Sequence, residues 1–187
     1  MEDKRARKTK KAIINAFAEL MAEKNIQDIS VKEIAEKADI NRITFYNHYA
    51  DIYDLFDKMQ SQVLADFDEM IAVSDSHNYE ETFEKIVKYL AENKVVCKLT
   101  MSAENSKLQT VLCELFLKKY NEISMYEDNV TEIKKSWNYL AVYNVYGTIA
   151  LLSQWIMDDM EYPAEKIRDL LTSIDNCMDN AFYAVEE

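Results

Sequence analysis

In 187 residues the chain has one glycine, Gly147, and one proline, Pro163. Average usage is about 7% and 5%, so the residues that most readily end strands and form tight turns are almost missing. No Val/Ile/Thr-rich run alternates between turn signals as strands require. The fold class this predicts is all-α, in a chain long enough to bury most of the apolar surface it exposes when unfolded.

Hydrophobic spacing places the helices. Over residues 9–24, Ile13, Ala16, Phe17, Leu20 and Met21 recur at helical intervals and predict one buried stripe. Ser30 followed by Glu33 reads as a capping box, opening a second helix of about two turns that carries Val31, Ile34, Ala35 and Ala38. Asp39 and Ile40 form a connector, Asn41 is a suitable N-cap, a third helix is expected over residues 42–49, and Asp51 caps a fourth. A helix followed by two short ones across a tight turn is the helix-turn-helix pattern of DNA binding. The expected domains are 1–50, an N-terminal three-helix helix-turn-helix domain, and 51–187, a larger helical domain for dimerisation and effector binding. Within the second, helices are expected over residues 52–73, 79–93, 106–124, 130–157 and 163–185, with a polar break at 74–78 and an irregular piece at 94–102.

The formal net charge of −12 opposes a nucleic-acid partner on average, but it divides unevenly along the chain. Residues 1–50 hold ten Lys/Arg against eight Asp/Glu, and residues 51–187 hold twelve against twenty-six. Lys4, Arg5, Arg7, Lys8, Lys10 and Lys11 all fall in the first eleven residues, so a polyanion is attracted to that end and repelled elsewhere.

The third helix, in the stretch "NRITFYNHYAD" (41–51), divides by phase. Advancing about 100° per residue puts Phe45 and Tyr49 together on a face that must pack on the short helices. Ile43, Thr44 and Asn47 point the opposite way, flanked by Tyr46 and His48. On a helix in the major groove, Asn47 can bond adenine, Ile43 can meet a thymine methyl, and Arg42 can reach guanine or phosphate. Thr44, Tyr46 and His48 sit at the phosphate walls.

Residues 9–56, "TKKAIINAFAELMAEKNIQDISVKEIAEKADINRITFYNHYADIYDLF", resemble the N-terminal domain of TetR/AcrR-type transcriptional regulators, whose pattern ends in T-[FL]-Y-x-[HY]-[FY]. The resemblance implies that Arg42, Ile43 and Asn47 face bases, that Thr44, Tyr46 and His48 face phosphates, and that the first helix presents its N-terminal end to the backbone. Lys8, Thr9 and Ser30 complete the expected DNA-binding set. Three positions depart from the family pattern: Asp39 stands where the turn usually has Gly, Ile43 where a small residue precedes the Thr, and Ile52 where a phosphate-binding Lys is common. The segment "YGTIALLSQWIMDDMEYPAEKI" is also similar to the subgroup related to dihydroxyacetone-kinase regulators.

For residues 51–187 the resemblance implies a two-fold homodimer paired through its last two helices, and a ligand cavity in each subunit. The sequence independently makes those two helices the most apolar, which would leave exposed patches on a lone subunit. Expected interface residues are Gly147, Leu151, Trp155, Leu170, Ile174, Cys177, Met178 and Ala181. Tyr89, Met101, Phe116, Tyr120 and Tyr143 are expected to line the pocket. Residues 139–157 carry no charge, but Asn144, Gly147, Ser153 and Gln154 argue for a helix buried on two sides rather than a membrane span.

Cys97, Cys113 and Cys177 have no metal or disulfide spacing, and with no apolar leader they are expected as reduced thiols in the cytoplasm. Two histidines far apart and no glycine-rich phosphate loop argue against an enzyme, and no cofactor is expected. The reading is a homodimeric, sequence-specific DNA-binding regulator, a repressor of a palindromic operator released by a small-molecule or protein effector. The alternative is a dimeric helical interaction module that no longer binds DNA.

Overall fold

The computed structural model describes residues 4–72, 79–101, 106–127 and 135–184. Among them the chain forms α1 (Lys4–Met21), a 3-10 turn (Ile26–Asp28), α2 (Val31–Lys37), α3 (Arg42–Tyr46) and α4 (Ile52–Ala72). These are succeeded by α5 (Tyr79–Glu92), α6 (Lys94–Thr100), α7 (Ser106–Glu127), α8 (Lys135–Met157) and α9 (Ala164–Ala184). The expected break at 74–78 lies outside the described residues.

Two compact units divide the chain, one running to Gln62 with Val95–Thr100 added, the other built from Val63–Lys94 and Met101–Glu187. The division falls inside α4 and not at residue 50, because Ile52, Leu55 and Met59 belong to the core of the first unit. That core joins them to Ile13, Phe17 and Leu20 of α1, Ile34 of α2, and Phe45 and Tyr49. Each such side chain contributes about 1.5–3 kcal/mol by leaving water, which holds together helices as short as α2 and α3 that could not persist alone.

Helix α1 begins at Lys4, five residues before the expected start, so the cationic segment is its opening turns and not an extended arm. Helix α3 ends at Tyr46, with Asn47 as its C-cap, and the expected last turn to residue 49 is tighter: the His48 and Tyr49 N–H groups both donate to Phe45 O. Residues 94–100 are the helix α6 where an irregular piece was expected. Its Thr100 Oγ1 donates to Val96 O at 2.8 Å, Cys97 is fully buried, and Val96 and Leu99 pack on the first unit's core.

The turn between α2 and α3 explains the missing glycine. The Ile40 N–H donates to Ala35 O at 2.9 Å and the Asp39 N–H to Glu36 O at 3.3 Å, a Schellman closure that needs a left-handed residue between them. Asp39 occupies that conformation, φ 52°, one that short polar side chains tolerate better than most. Ile40, next in sequence, packs on the core.

In the second unit α5 packs on α9, α7 on α8, and α8 on α9. Phe67 meets Tyr89 and Phe116 edge-on, with ring centroids 5.5 and 6.0 Å away. Asn144 Nδ2 donates to Asp175 Oδ1 at 3.0 Å in the buried α8–α9 contact, a hydrogen bond that offsets part of the cost of taking a carboxylate out of water. By length and composition α8 is apolar enough to cross a membrane, and here its Ala141, Val145, Ile149 and Leu152 are buried.

Candidate nucleic-acid interface

Helix α2 is fastened before α3 begins. The Ser30 hydroxyl accepts from the Glu33 N–H at 3.3 Å and donates to the Glu33 carboxylate at 2.7 Å, and that carboxylate accepts the Ser30 N–H at 2.9 Å. Lys24 pairs with the same carboxylate. Hydrogen bonds from Lys24 and then from the Ser30 side chain and backbone hold the Glu33 carboxyl down to about 2. A carboxyl lowered on folding contributes stability above the ordinary value of about 4.3, and that contribution is lost as pH falls through the folded value. Glu33→Gln is therefore expected to melt lower than the parent at neutral pH, with the gap narrowing as pH drops from about 4.3 toward 2. Thermal melts across that range check it, and a gap that stays constant with pH would overturn the assignment.

On α3 the side chains separate as their phase requires. Phe45 is fully buried and Tyr49 nearly so, with ring centroids 5.6 Å apart. Asn41 caps the helix by accepting the Ile43 N–H at 2.9 Å. Ile43 is 69% exposed and Tyr46 56%, while Arg42 and Asn47 are exposed and Thr44 and His48 half-buried. Two large apolar side chains thus stand on the outer face of a five-residue helix whose inner face is already filled. At the start of α1, Lys8 is exposed, and half-buried Thr9 donates from Oγ1 to Arg5 O at 3.0 Å. No acidic residue lies in the first turn of α1, so its cations face the positive end of the helix dipole, an arrangement unfavourable by itself. Ile52, where related sequences often carry a phosphate-binding lysine, is instead buried in the core.

One cation was missed in the sequence. Lys58 Nζ donates to His48 O at 3.2 Å and pairs with Asp54 at 2.8 Å. The four-residue spacing of Asp54 and Lys58 is a signal that helix geometry supplies.

The residues expected to line a pocket do not share one environment. Tyr89 donates to Asp66 at 2.7 Å beside a cleft of about 430 Å³ lined also by Glu69, Met70 and Lys85. Met101 is buried, Phe116 packs on Phe67, Tyr120 is half-buried, and Tyr143 points outward at 71% exposure. Among the expected interface residues, Gly147, Leu170 and Cys177 are exposed and Leu151, Ile174 and Met178 half-buried. Trp155 is not on that face: it is 4% exposed and its Nε1 donates to Tyr162 O at 2.8 Å within its own subunit. Ala181 lies outside the described side chains. Among the described residues no three His, Cys, Asp or Glu side chains converge to hold a metal ion.

Two family profiles match the chain: "Bacterial regulatory proteins, tetR family" over residues 13–59, and "Transcriptional regulator C-terminal region" over residues 77–176. The chain belongs to the TetR family. As a TetR-family protein it carries the two parts of a DNA-binding transcription regulator, the helix-turn-helix domain and the regulator's C-terminal region. The HTH-type transcriptional regulator YxbF of Bacillus subtilis (strain 168) is 32% identical over 77 residues, 41% of this TetR-family chain. The chain spans about a fifth of the length of that curated relative, 20%.

Solved structures resemble the TetR-family chain over most of its length. The dihydroxyacetone kinase operon activator DhaS has a TM-score of 0.60 at 19% identity, covering 89% of this chain and 93% of its own. NalD, the secondary repressor of the MexAB-OprM multidrug efflux pump in Pseudomonas aeruginosa, gives 0.63 at 18%, covering 91% and 95%. FadR from Bacillus subtilis, in complex with stearoyl-CoA, gives 0.56 at 20%, covering 86% and 96%. At these identities the likeness is one of fold.

Proposed function

We propose that the protein is a homodimeric, sequence-specific repressor that acts in the cytoplasm, reads a palindromic operator with two copies of α3, and is released by an effector. The observation that carries this reading is the outer face of α3. Ile43 and Tyr46 remain in water beside Asn47 and Arg42 although the inner face is packed, and a base-edge and phosphate surface accounts for all four. The cations opening α1 support it, since a helix N-terminus lined with Lys and Arg attracts phosphate. The departure at Asp39 does not weaken it, because the turn keeps the left-handed conformation that glycine would supply.

The α8–α9 pair supports the dimer. Tyr139, Val142, Tyr143, Tyr146 and Leu170 are large and exposed on it, a set that a second copy would cover. The effector reading rests on the FadR likeness, where stearoyl-CoA is bound, and on the aromatic interior around Phe67.

The test is selection of duplexes from random DNA, then binding over a salt series. The selected sites should be palindromic. Ile43→Ala and Asn47→Ala should each change which bases are preferred, losing about 1–3 kcal/mol of discrimination at the contacted pair. Tyr46→Phe and His48→Ala should weaken all duplexes alike. Selection of no sequence over bulk DNA would sink the repressor reading and favour an interaction module. Repression or activation is then read from a reporter placed behind the selected site.

A further inference from the structure

The recognition helix is five residues long, yet Asn47 and His48 must hold their directions beyond its last turn. The chain leaves α3 through a turn whose backbone groups are taken up by side chains of α4. Asp54 accepts the Ala50 N–H at 2.8 Å, while Asp51 caps α4 by accepting the Asp54 N–H at 2.8 Å. Lys58, one turn further along α4, donates to His48 O at 3.2 Å and to Asp54 at 2.8 Å. Its ammonium also lies 5.5 Å from the centroid of the Tyr49 ring, which packs on Phe45. Two side chains thus hold both the carbonyl that leaves α3 and the N–H that enters the turn.

We propose that Lys58, seated by Asp54, is a positioning residue for DNA recognition. It fixes the carbonyl end of the α3 turn, so that Asn47 and His48 meet the groove in one orientation, and it touches no phosphate itself. The geometry gives the reason: the ammonium is directed at three groups of its own subunit, the His48 carbonyl, the Asp54 carboxylate and the Tyr49 ring. The Asp54 carboxyl is lowered first by the Lys58 hydrogen bond and then by the Ala50 N–H, in keeping with a charged clasp at neutral pH. The inference rests on the DNA-binding reading for its purpose, but not for the clasp.

The experiment has an arm without DNA and an arm with it. In the free protein, Lys58→Met should speed hydrogen exchange at the amides of residues 47–50 while leaving those of α1 protected, and Lys58→Arg should restore the slow exchange. In the second arm the probe is a duplex selected from random DNA by the parent protein. Lys58→Met should weaken its binding about three- to tenfold, with Lys58→Arg close to the parent. The slope of log K against log salt should stay unchanged. A phosphate contact would instead flatten that slope by about 0.9 for each subunit, which would overturn the positioning role. Unchanged exchange in Lys58→Met would overturn the clasp. If the parent selects no duplex, the DNA-binding reading fails, and the exchange arm still decides whether Lys58 holds the turn.

Discussion

Phe45→Ala should cost the first unit about 3–5 kcal/mol, enough to remove most of a typical total of about 5–15 kcal/mol. Phe45 is fully buried and belongs to a cluster with Ile13, Phe17, Ile34, Tyr49 and Leu55. It meets Tyr46 edge-on at 5.7 Å and Tyr49 at 5.6 Å, so truncation removes ring contacts on both sides. Helices α2 and α3, seven and five residues long, have no independent stability with which to absorb the loss. Ile43 supplies the comparison. It lies two residues earlier on the same short helix but in water, and Ile43→Ala should move stability by no more than about 0.5 kcal/mol. Urea denaturation monitored by circular dichroism separates the two. A Phe45→Ala midpoint as close to the parent as that of Ile43→Ala would mean that α3 is not anchored through this ring.

The sequence showed most clearly what is decided locally. Ser30 and Glu33 close a capping box across three residues, and their spacing was enough to find it. The inward turn of Phe45 and Tyr49 comes from helical phase alone. Helix α6 was not legible, because Val95, Val96 and Thr100 are mediocre helix formers and what supports the helix is the packing of Val96 and Leu99 on the first unit's core. The true start of α1 was hidden for a related reason: apolar periodicity begins only at Ile13, and the cationic turns before it carry no buried stripe. Trp155 was misplaced because α8 is apolar nearly all round, so no phase separates an inner tryptophan from an outer one. The bond from its indole to Tyr162 O depends on the turn after α8, where Asp159 and Met160 both adopt left-handed conformations, φ 58° and 56°. Lys58 was overlooked because its partners are a turn carbonyl, His48 O, and the Asp54 carboxylate one turn earlier on α4, and apolar patterning is silent about both.

The remaining large effect is expected at Gly147. A glycine inside a helix costs about 0.5–1 kcal/mol relative to alanine, and among the described residues nothing uses the smallness of this one in α8: an added Cβ meets no atom within 4 Å. Gly147→Ala should therefore raise the stability of an isolated subunit by that amount. The same position lies on the face that exposes Tyr139, Tyr143 and Tyr146. If a second copy approaches there, the missing side chain is what permits the two helices to come close, and a long cationic side chain would be forced into the contact once from each subunit. Overpacking costs about 1–3 kcal/mol per site, so two copies of Gly147→Arg should weaken dimerisation by about 2–6 kcal/mol, about thirtyfold or more, while helical content is kept. Sedimentation across a concentration series reads the dissociation directly. Operator binding should fall with it, because a palindrome needs both copies of α3. A Gly147→Arg protein that dimerises as tightly as the parent would remove this face from the interface. The single glycine in the chain would then be an unexplained weakness in its most apolar helix.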